Sequence, residues 1–208
     1  MWLTGLNPEP AAQPLDLETE VVPALRLSSD EMTAQAAFLT AAIAGARTAC
    51  ETFTGRLLIK RTVELWAERW DDEGAVYRCG RLRLLYAPTT LVNSVKYLDS
   101  DGTLKTWDSS TGWDKMLPTG DVAGRAEVFP RVGQCFPASL CQPASIKVNY
   151  DTGYGTSYAA IPARLKQGML LFVGEAYARR ELVTPGTILP ANPISAERCW
   201  KPFKESAQ

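Results

Sequence analysis

The strongest hydrophobic pattern in the chain lies over residues 28–53, where apolar residues recur at alternating steps of four and three. The positions are Met32, Ala36, Leu39, Ile43, Ala46, Cys50 and Phe53. This spacing places a continuous apolar stripe on one face of an α-helix. Ser28 and Glu31 match a capping box at the start, and Thr54-Gly55-Arg56 closes the pattern. The sequence therefore predicts a long amphipathic helix with defined ends.

A second long helix is predicted from Pro162 to about residue 183. Pro162 suits the first helical turn, where a missing N–H costs nothing. Arg179 and Arg180 suit the C-terminal end, where the helix dipole favours positive charge. The apolar side of this helix comprises Leu165, Met169, Phe172, Val173, Ala176 and Tyr177.

The residues between these helices have the pattern of β-strands and turns. Strands are predicted over residues 57–70, 81–86, 91–98, 103–107, 115–117, 126–129 and 145–150. Two helices so far apart in the sequence can pack together only if the segment between them folds as an insertion. The sequence therefore predicts an α+β fold in which two long packed helices frame an inserted small antiparallel β-sandwich or barrel.

These elements divide the chain into five parts. Residues 1–14 are rich in proline and are predicted to form an extended arm. Residues 15–56 form the first half of the helical part, beginning with a short helix that Pro23 ends. Residues 57–155 form the inserted β domain, and residues 156–183 form the second helical half. Residues 184–208 comprise a proline-spaced linker, a short helix and a C-terminal tail.

The alanine-rich first helix has two interpretations. Between Thr33 and Thr48 its only charged residue is Arg47, whereas a solvent-facing helix usually carries more charge. Alanine can serve helix propensity alone, or small side chains can let a second subunit pack closely, and the sequence leaves both open. The candidate residues for helix packing and a subunit interface are Ala37, Ala41, Ala44, Phe172 and Tyr177.

Composition argues against several classes of partner and site. A net charge of -1 and a pI near 5.6 do not suit a protein that grips nucleic acid along a basic face. No apolar run is long enough to span a membrane, and no signal-peptide pattern is visible, so we expect a cytoplasmic product. Five scattered cysteines indicate reduced thiols, although a Cys135–Cys141 pairing stays open.

The chain has no histidine, which excludes Ser-His-Asp and Cys-His catalytic arrangements and disfavours a structural metal site. Carboxylate pairs such as Asp99 and Asp101 fall in turns, where acidic residues are common for turn chemistry alone. We therefore expect no catalytic residue, no metal and no cofactor. Tryptophans beside the β segments are expected to pack within a sheet, but a carbohydrate-binding β module using Trp66, Trp107 or Trp113 remains an alternative.

Several segments, in order along residues 15–183, resemble one family of virion proteins. The first helix with Thr54-Gly55-Arg56 resembles the opening of the head–tail connector (adaptor, or head-completion) proteins of long-tailed bacteriophages and gene transfer agents. Residues 95–102, Phe136-Pro137, residues 148–155 and the second helix resemble the later features of that family. The chain departs from the family at Pro23 and in a longer loop over residues 135–143. Structural turns are predicted at Gly55, Arg56, Gly153, Tyr154 and Gly155.

The resemblance implies a structural protein of the virion neck, synthesised in the cytoplasm of the host bacterium. Such adaptors form a ring, expected to be dodecameric, that docks under the portal protein and joins it to the next neck component. DNA is expected to pass through the channel without specific binding. The resemblance leaves open whether the particle is a phage or a gene transfer agent. A neck stopper or tail-completion protein is the alternative within the same neck.

In this family the C-terminal segment reaches the portal. The resemblance therefore implies a portal-binding role for Trp200, Lys201, Pro202, Phe203 and Lys204. The two aromatic residues would act as anchors in a groove of the partner, carried there by a stiff linker. The alternative is that Trp200 and Phe203 fold back onto the helices of their own chain.

Overall fold

The computed structural model describes residues 3–6, 9–10, 12–68, 70, 80–122, 124–179 and 193–204. In this part the protein is α+β, with four α-helices and two antiparallel sheets. Neither described sheet closes into a barrel, so the barrel form of the prediction is wrong. The linker over residues 184–192, the last residues of the predicted second helix and the tail over residues 205–208 lie outside the described residues.

The chain divides into two compact units. The β unit contains the N-terminal strand and Lys60–Gly153, and the helical unit contains Ala11–Ile59 and Tyr154–Glu205. In the β unit, the first sheet has the strand order β1-β2-β8-β4-β5 and the second has the order β3-β7-β6. The strands are β1 (Leu3–Leu6), β2 (Arg61–Ala67), β3 (Leu82–Arg83), β4 (Thr89–Leu98), β5 (Leu104–Trp107), β6 (Trp113–Met116), β7 (Glu127–Pro130) and β8 (Ile146–Thr152).

The core of the larger sheet follows the alternation of side chains along its strands. In the register of β2 with β8, Val63 faces Tyr150 and Leu65 faces Val148, and all four side chains are buried. Successive side chains of a strand point to opposite faces, so the intervening residues face away from this core. The opposite face is mostly polar, and one of its residues, Asp151, has Thr62 as its register partner.

The helical unit contains α1 (Val22–Leu25), α2 (Ser29–Thr54), α3 (Ala163–Arg179) and α4 (Ile194–Trp200). The predicted capping box is present, because the Ser28 hydroxyl accepts a hydrogen bond from the Glu31 amide at 3.3 Å and the Glu31 carboxylate accepts one from the Ser28 amide at 2.9 Å. These hydrogen bonds hold the pKa of the Glu31 carboxyl below its usual value. Gly55 ends α2 in the left-handed conformation, with φ of 71°.

The apolar stripe predicted for the first helix forms much of the core of the helical unit. Leu39, Ile43, Ala46 and Cys50 are buried on α2, and they belong to one cluster with Leu165, Met169 and Val173 of α3. Burial in these apolar surroundings raises the pKa of the Cys50 thiol. Full burial of each large aliphatic side chain contributes roughly 1.5–3 kcal/mol of transfer free energy.

Three local expectations differ from the structure. Pro23 does not end a helix, because a π-helical turn over Leu17–Val21 leads into α1 and Pro23 lies in the first turn of α1, where proline is tolerated. The strand predicted from residue 57 begins at Arg61, since Leu58 and Ile59 are buried in the helical unit instead. Within the predicted arm, Leu3–Leu6 forms a strand paired with β2, which no local pattern indicated.

Candidate interaction surfaces

The C-terminal segment, residues 193–204, belongs to the helical unit, and its aromatic side chains are buried there. Trp200 has 0% and Phe203 has 5% of its surface exposed. The ring of Trp200 lies against Phe53 and Phe172, with centroid separations of 6.0 Å and 6.4 Å. Its indole nitrogen donates to the carbonyl of Leu165 at 3.3 Å. The one polar atom of the buried ring therefore has a hydrogen-bond partner.

A glycine on α3 makes room for this ring. A Cβ atom at Gly168 would lie 2.3 Å from the indole nitrogen of Trp200 and 2.7 Å from its Cδ1 atom. Gly168 is itself buried. The close approach of the ring to the backbone of α3 thus depends on the absence of a side chain at this position.

Trp200 and Phe203 therefore fold back onto their own chain, which is the alternative that the sequence left open. Neither ring is free to act as an exposed anchor. Lys201, Pro202 and Lys204, in contrast, are exposed. Portal binding by the five residues from Trp200 to Lys204 stays a prediction, and in this structure it would involve the exposed members of the set.

Two of the predicted turn residues, Arg56 and Tyr154, meet beside this segment. Arg56 is 2% exposed, and its Nε atom donates to the carbonyl of Phe203 at 2.6 Å. An Nη atom of the same guanidinium donates to the Tyr154 hydroxyl at 3.4 Å. Residues from three distant parts of the sequence thus converge on one buried cation. Gly155 is required nearby, since a Cβ atom there would lie 2.4 Å from the Cβ atom of Ala160.

Gly153, the first glycine of the same motif, belongs to the β unit. It has φ of 123°, a conformation that favours glycine, and its amide donates to the carbonyl of Pro88 at 2.9 Å. The motif thus provides a backbone turn at Gly153 in the β unit. In the helical unit, its second glycine, Gly155, leaves room for the side chain of Ala160.

One face of α2 is exposed and carries no charge. We call it the open face, and it consists of Thr33, Ala34, Ala37, Phe38, Thr40, Ala41, Gly45, Thr48 and Thr52. Phe38 is 39% exposed, and a Cβ atom added at Gly45 would have no neighbour within 4 Å. The charged residues of α2 are in its first turn, before this face begins, at the buried Arg47 and at the half-buried Glu51.

The structure separates the residues proposed for a subunit interface into two groups. Ala37 and Ala41 lie on the open face, and Ala44 is half-buried beside it. Tyr177 lies instead between α2 and α3, where its hydroxyl accepts from Gln35 at 3.2 Å and its ring lies 6.5 Å from that of Phe38. Phe172 stacks on Trp200. Phe172 and Tyr177 therefore serve packing within the chain, and the alanines are the accessible group.

The described tryptophans of the β unit, Trp66, Trp70, Trp107 and Trp113, do not form an exposed shelf. Trp107 and Trp113 are 8% and 3% exposed, and Trp70 stacks on Phe136 with a centroid separation of 4.8 Å. Trp66 is half-buried, with the Lys147 ammonium 5.2 Å from its ring centroid. Because two of the three candidate residues are buried, the geometry does not favour the carbohydrate-binding alternative.

Two acidic side chains of the β unit, Asp99 and Asp151, serve local structure. Asp99 accepts from the Ser100 amide and from Lys105, and the hydrogen bond from Lys105 is the main reason that the pKa of its carboxyl is low. Asp151 accepts from Asn93 and Thr62 and pairs with Lys60. Burial raises the pKa of Asp151, but these hydrogen bonds and the cation outweigh burial and keep it below its usual value.

Two kinds of site are absent from the described residues. No group of three or more Cys, Asp or Glu side chains among them is placed to hold a metal ion. None of the described helices combines the length and apolar content that a membrane crossing requires. The surfaces that stand out are therefore the open face of α2 and the exposed side of the C-terminal segment.

Comparison with known proteins identifies the fold. No protein-family model matches the chain, and no curated protein matches it. Among solved structures, it is similar to a chain in the neck of an empty gene transfer agent particle computed with C6 symmetry, with a TM-score of 0.71 and 21% identity. It is also similar to chains of the virion of a native gene transfer agent particle (TM-score 0.67, 22% identity) and of the neck of the native particle computed with C12 symmetry (TM-score 0.60, 20% identity).

Each of these similarities covers 100% of this chain and 97% of the other. The shared feature is therefore the whole fold and not one of its two units. At this level of identity the comparison establishes the fold alone.

Proposed function

We propose that this protein is a structural component of the neck of a phage-like particle. In this proposal it is a head–tail adaptor that forms a ring under the portal protein. The observation that carries the proposal is the likeness over the full length to chains from the necks and the virion of gene transfer agent particles. The resemblance of the sequence to head–tail connectors supports the same assignment independently of that comparison.

The open face of α2 supports a ring. A helix face that is uncharged over five turns is unusual for a surface that meets only water. Its alanine, glycine and threonine side chains allow a neighbouring subunit to approach the helix backbone closely. We propose that Ala37, Ala41 and Ala44 contact the next copy of the chain. Copies related by cyclic symmetry make a head-to-tail contact, so this face meets a different surface of its neighbour.

The remaining parts of the proposal concern partners and location. The ring contacts the portal on one side and the next neck component on the other, and DNA passes through its channel without specific binding. A small negative net charge is consistent with DNA that slides rather than adheres. The predicted arrangement, in which α2 and α3 pack together and the β segment is inserted between them, is the framework of this role. No enzymatic activity is part of it.

The test is binding of the purified chain to DNA-filled, tailless capsids, measured by co-sedimentation and followed by electron microscopy of the portal vertex. The expected result is additional ring-shaped density under the portal. A chain that neither sediments with the capsids nor adds density at the vertex would contradict the adaptor assignment.

The same assay tests the interface. Ala37→Glu with Ala41→Glu places two charges on the open face, and we expect binding without a complete ring, or no binding. Ala163→Glu with Ala178→Glu is the matched control, because both alanines are exposed on α3. Equal ring formation by both double variants would show that the open face is not the subunit contact.

A further inference from the structure

The connection between β7 and β8 contains a long stretch without charge. Residues 132–146 include no charged residue, and runs of this length, 15 residues, are the longest in the chain. Of the two other such runs, residues 32–46 include most of the open face of α2, and residues 182–196 lie mostly outside the described residues. We call residues 132–143 the neutral loop.

The tip of the neutral loop presents a valine to solvent. Val132 is fully exposed, and the next residue, Gly133, has φ of 82°, a conformation that favours glycine. The Gln134 amide donates to the carbonyl of Arg131 at 2.8 Å and closes a turn around these two residues. The Nε atom of Arg131 donates to the carbonyl of Trp113 at 3.1 Å. Val132 therefore projects from a turn whose base is fixed to a strand of the β unit.

The remainder of the neutral loop is anchored from beneath. The ring of Phe136 stacks on Trp70 with a centroid separation of 4.8 Å, and the indole nitrogen of Trp70 donates to the carbonyl of Pro137 at 2.8 Å. The Leu140 amide donates to the carbonyl of Leu98 at 2.9 Å. The exposed side chains between these anchors are uncharged, and they belong to Gln134, Cys135, Ala138, Cys141, Gln142 and Pro143. A surface that is ordered before binding loses less conformational entropy when a partner covers it.

The open face of α2 requires an uncharged surface as its neighbour. Covering it with charged side chains would remove those charges from water without providing a partner for them, which is unfavourable. The open face is also smooth: a Cβ atom at Gly45 would meet nothing within 4 Å, and its neighbours on the face, Ala41 and Thr48, are small. A projecting side chain can therefore reach the backbone of α2. The neutral loop has both matching properties, since it is uncharged and Val132 projects from it.

We propose that the neutral loop of one copy packs on the open face of α2 in the next copy, with Val132 against Gly45. The inference rests on the proposed function and names the second surface of its subunit contact, because copies in a ring join through two different surfaces. The open face is about 30 Å long and about 10 Å wide. It offers roughly 300 Å², less than the ~800 Å² per partner of stable interfaces. The contact therefore does not by itself hold two free copies together, and it forms where the capsid vertex holds copies side by side.

The test is cross-linking between two kinds of chain that are bound together to tailless capsids. Both kinds carry Cys79→Ser and Cys199→Ser. The first also carries Ala41→Cys, Cys135→Ser and Cys141→Ser, and the second keeps the exposed thiols of Cys135 and Cys141. The thiol on α2 and the thiols of the loop are then on different chains, so a short bismaleimide joins them only across a contact between copies. We expect a cross-linked pair, identified by mass spectrometry of the joined peptides.

Two controls accompany the cross-link. Ala163→Cys in place of Ala41→Cys puts the thiol on an exposed residue of α3 and should give no cross-linked pair. Val132→Glu places a charge at the tip of the loop and should abolish the complete ring. Val122→Glu places the same charge on a valine of the β unit that is 57% exposed and should leave the ring intact. Thermal unfolding shows whether each charged variant is folded. If Val132→Glu is not, the cross-link decides, because it leaves Val132 unchanged.

The possible results distinguish this inference from the proposed function. Ring density under the portal together with the cross-linked pair supports both. Ring density without the cross-linked pair overturns the loop contact and leaves the adaptor assignment standing. Absence of capsid binding by the wild type overturns both. If Val132→Glu abolishes capsid binding while no cross-linked pair forms, the loop contacts another component of the particle and the inference is wrong.

Discussion

The packing of Trp200 against α3 provides the sharpest test of the structure. Gly168→Ala adds one methyl group at a point 2.3 Å from the indole nitrogen, where two non-bonded atoms cannot both stay. The neighbour is one edge of a rigid, fully buried indole ring and not the end of a flexible side chain. Either the ring or α3 must therefore move, and the hydrogen bond from the ring to Leu165 changes with it.

The expected magnitude combines three contributions. Overpacking of a well-packed core costs about 1–3 kcal/mol. Weakening of the buried indole hydrogen bond adds about 1 kcal/mol. Replacement of glycine by alanine within a helix returns about 1 kcal/mol through helix propensity. We therefore expect Gly168→Ala to lower the free energy of unfolding of the helical unit by about 1–3 kcal/mol.

The matched control is Gly45→Ala on the open face of α2. This glycine is also in the interior of a helix, but a Cβ atom there meets nothing within 4 Å. Only the propensity contribution remains, so Gly45→Ala should raise the free energy of unfolding by roughly 0.5–1 kcal/mol. The same chemical change thus has opposite signs at the two positions.

Equilibrium unfolding in urea, followed by far-ultraviolet circular dichroism, measures both effects. With a slope of about 2 kcal/mol per M, a loss of about 2 kcal/mol moves the midpoint by about 1 M. A Gly168→Ala variant as stable as the wild type, or stabilised to the same extent as Gly45→Ala, would refute the packing of Trp200 against Gly168.

The remaining predictions concern the buried cation, the helix cap and acid stability. Arg56→Met should lower the free energy of unfolding by about 1–3 kcal/mol and speed hydrogen exchange in α4, because the Phe203 carbonyl loses its donor; unchanged exchange would contradict this. Ser28→Ala should cost about 1 kcal/mol in urea unfolding, and an equal midpoint would argue against the cap. Because the pKa of Asp151 is lowered on folding, its stabilising effect is present above an unfolded pKa of about 3.9 and is lost as pH falls through the folded value. Asp151→Asn should therefore flatten the acid side of the stability–pH curve, and a curve of unchanged slope would refute the assignment.

Local patterns predicted α2 closely. The capping box at Ser28 and the glycine at residue 55 lie where the structure begins and ends the helix. Both signals depend on four residues or fewer, so the sequence alone is enough to identify them. The strand now called β4 was similarly visible, beginning two residues earlier than predicted.

The packing of the C-terminal aromatic residues was harder to predict from the sequence. Trp200 and Phe203 follow a proline-rich stretch, and the sequence suggested that they had few local partners. Their actual partners are Phe53, Gly168 and the Arg56 guanidinium, which lie far away in the chain. Gly168, inside the pattern of α3, was the available signal, since a glycine in a helix interior costs about 1 kcal/mol relative to alanine and can mark a close packing contact.

By itself, the sequence determined the long helices, most of the strands and the lack of the residue types that a histidine-based active site needs. Those features depend on composition and on spacings of two to four residues. Only the tertiary structure decided that β1 joins the sheet, that the aromatic residues of the C-terminal segment are buried, and that Lys201, Pro202 and Lys204 remain exposed. These outcomes depend on pairing and packing between residues far apart in the chain, and no local pattern contains that information.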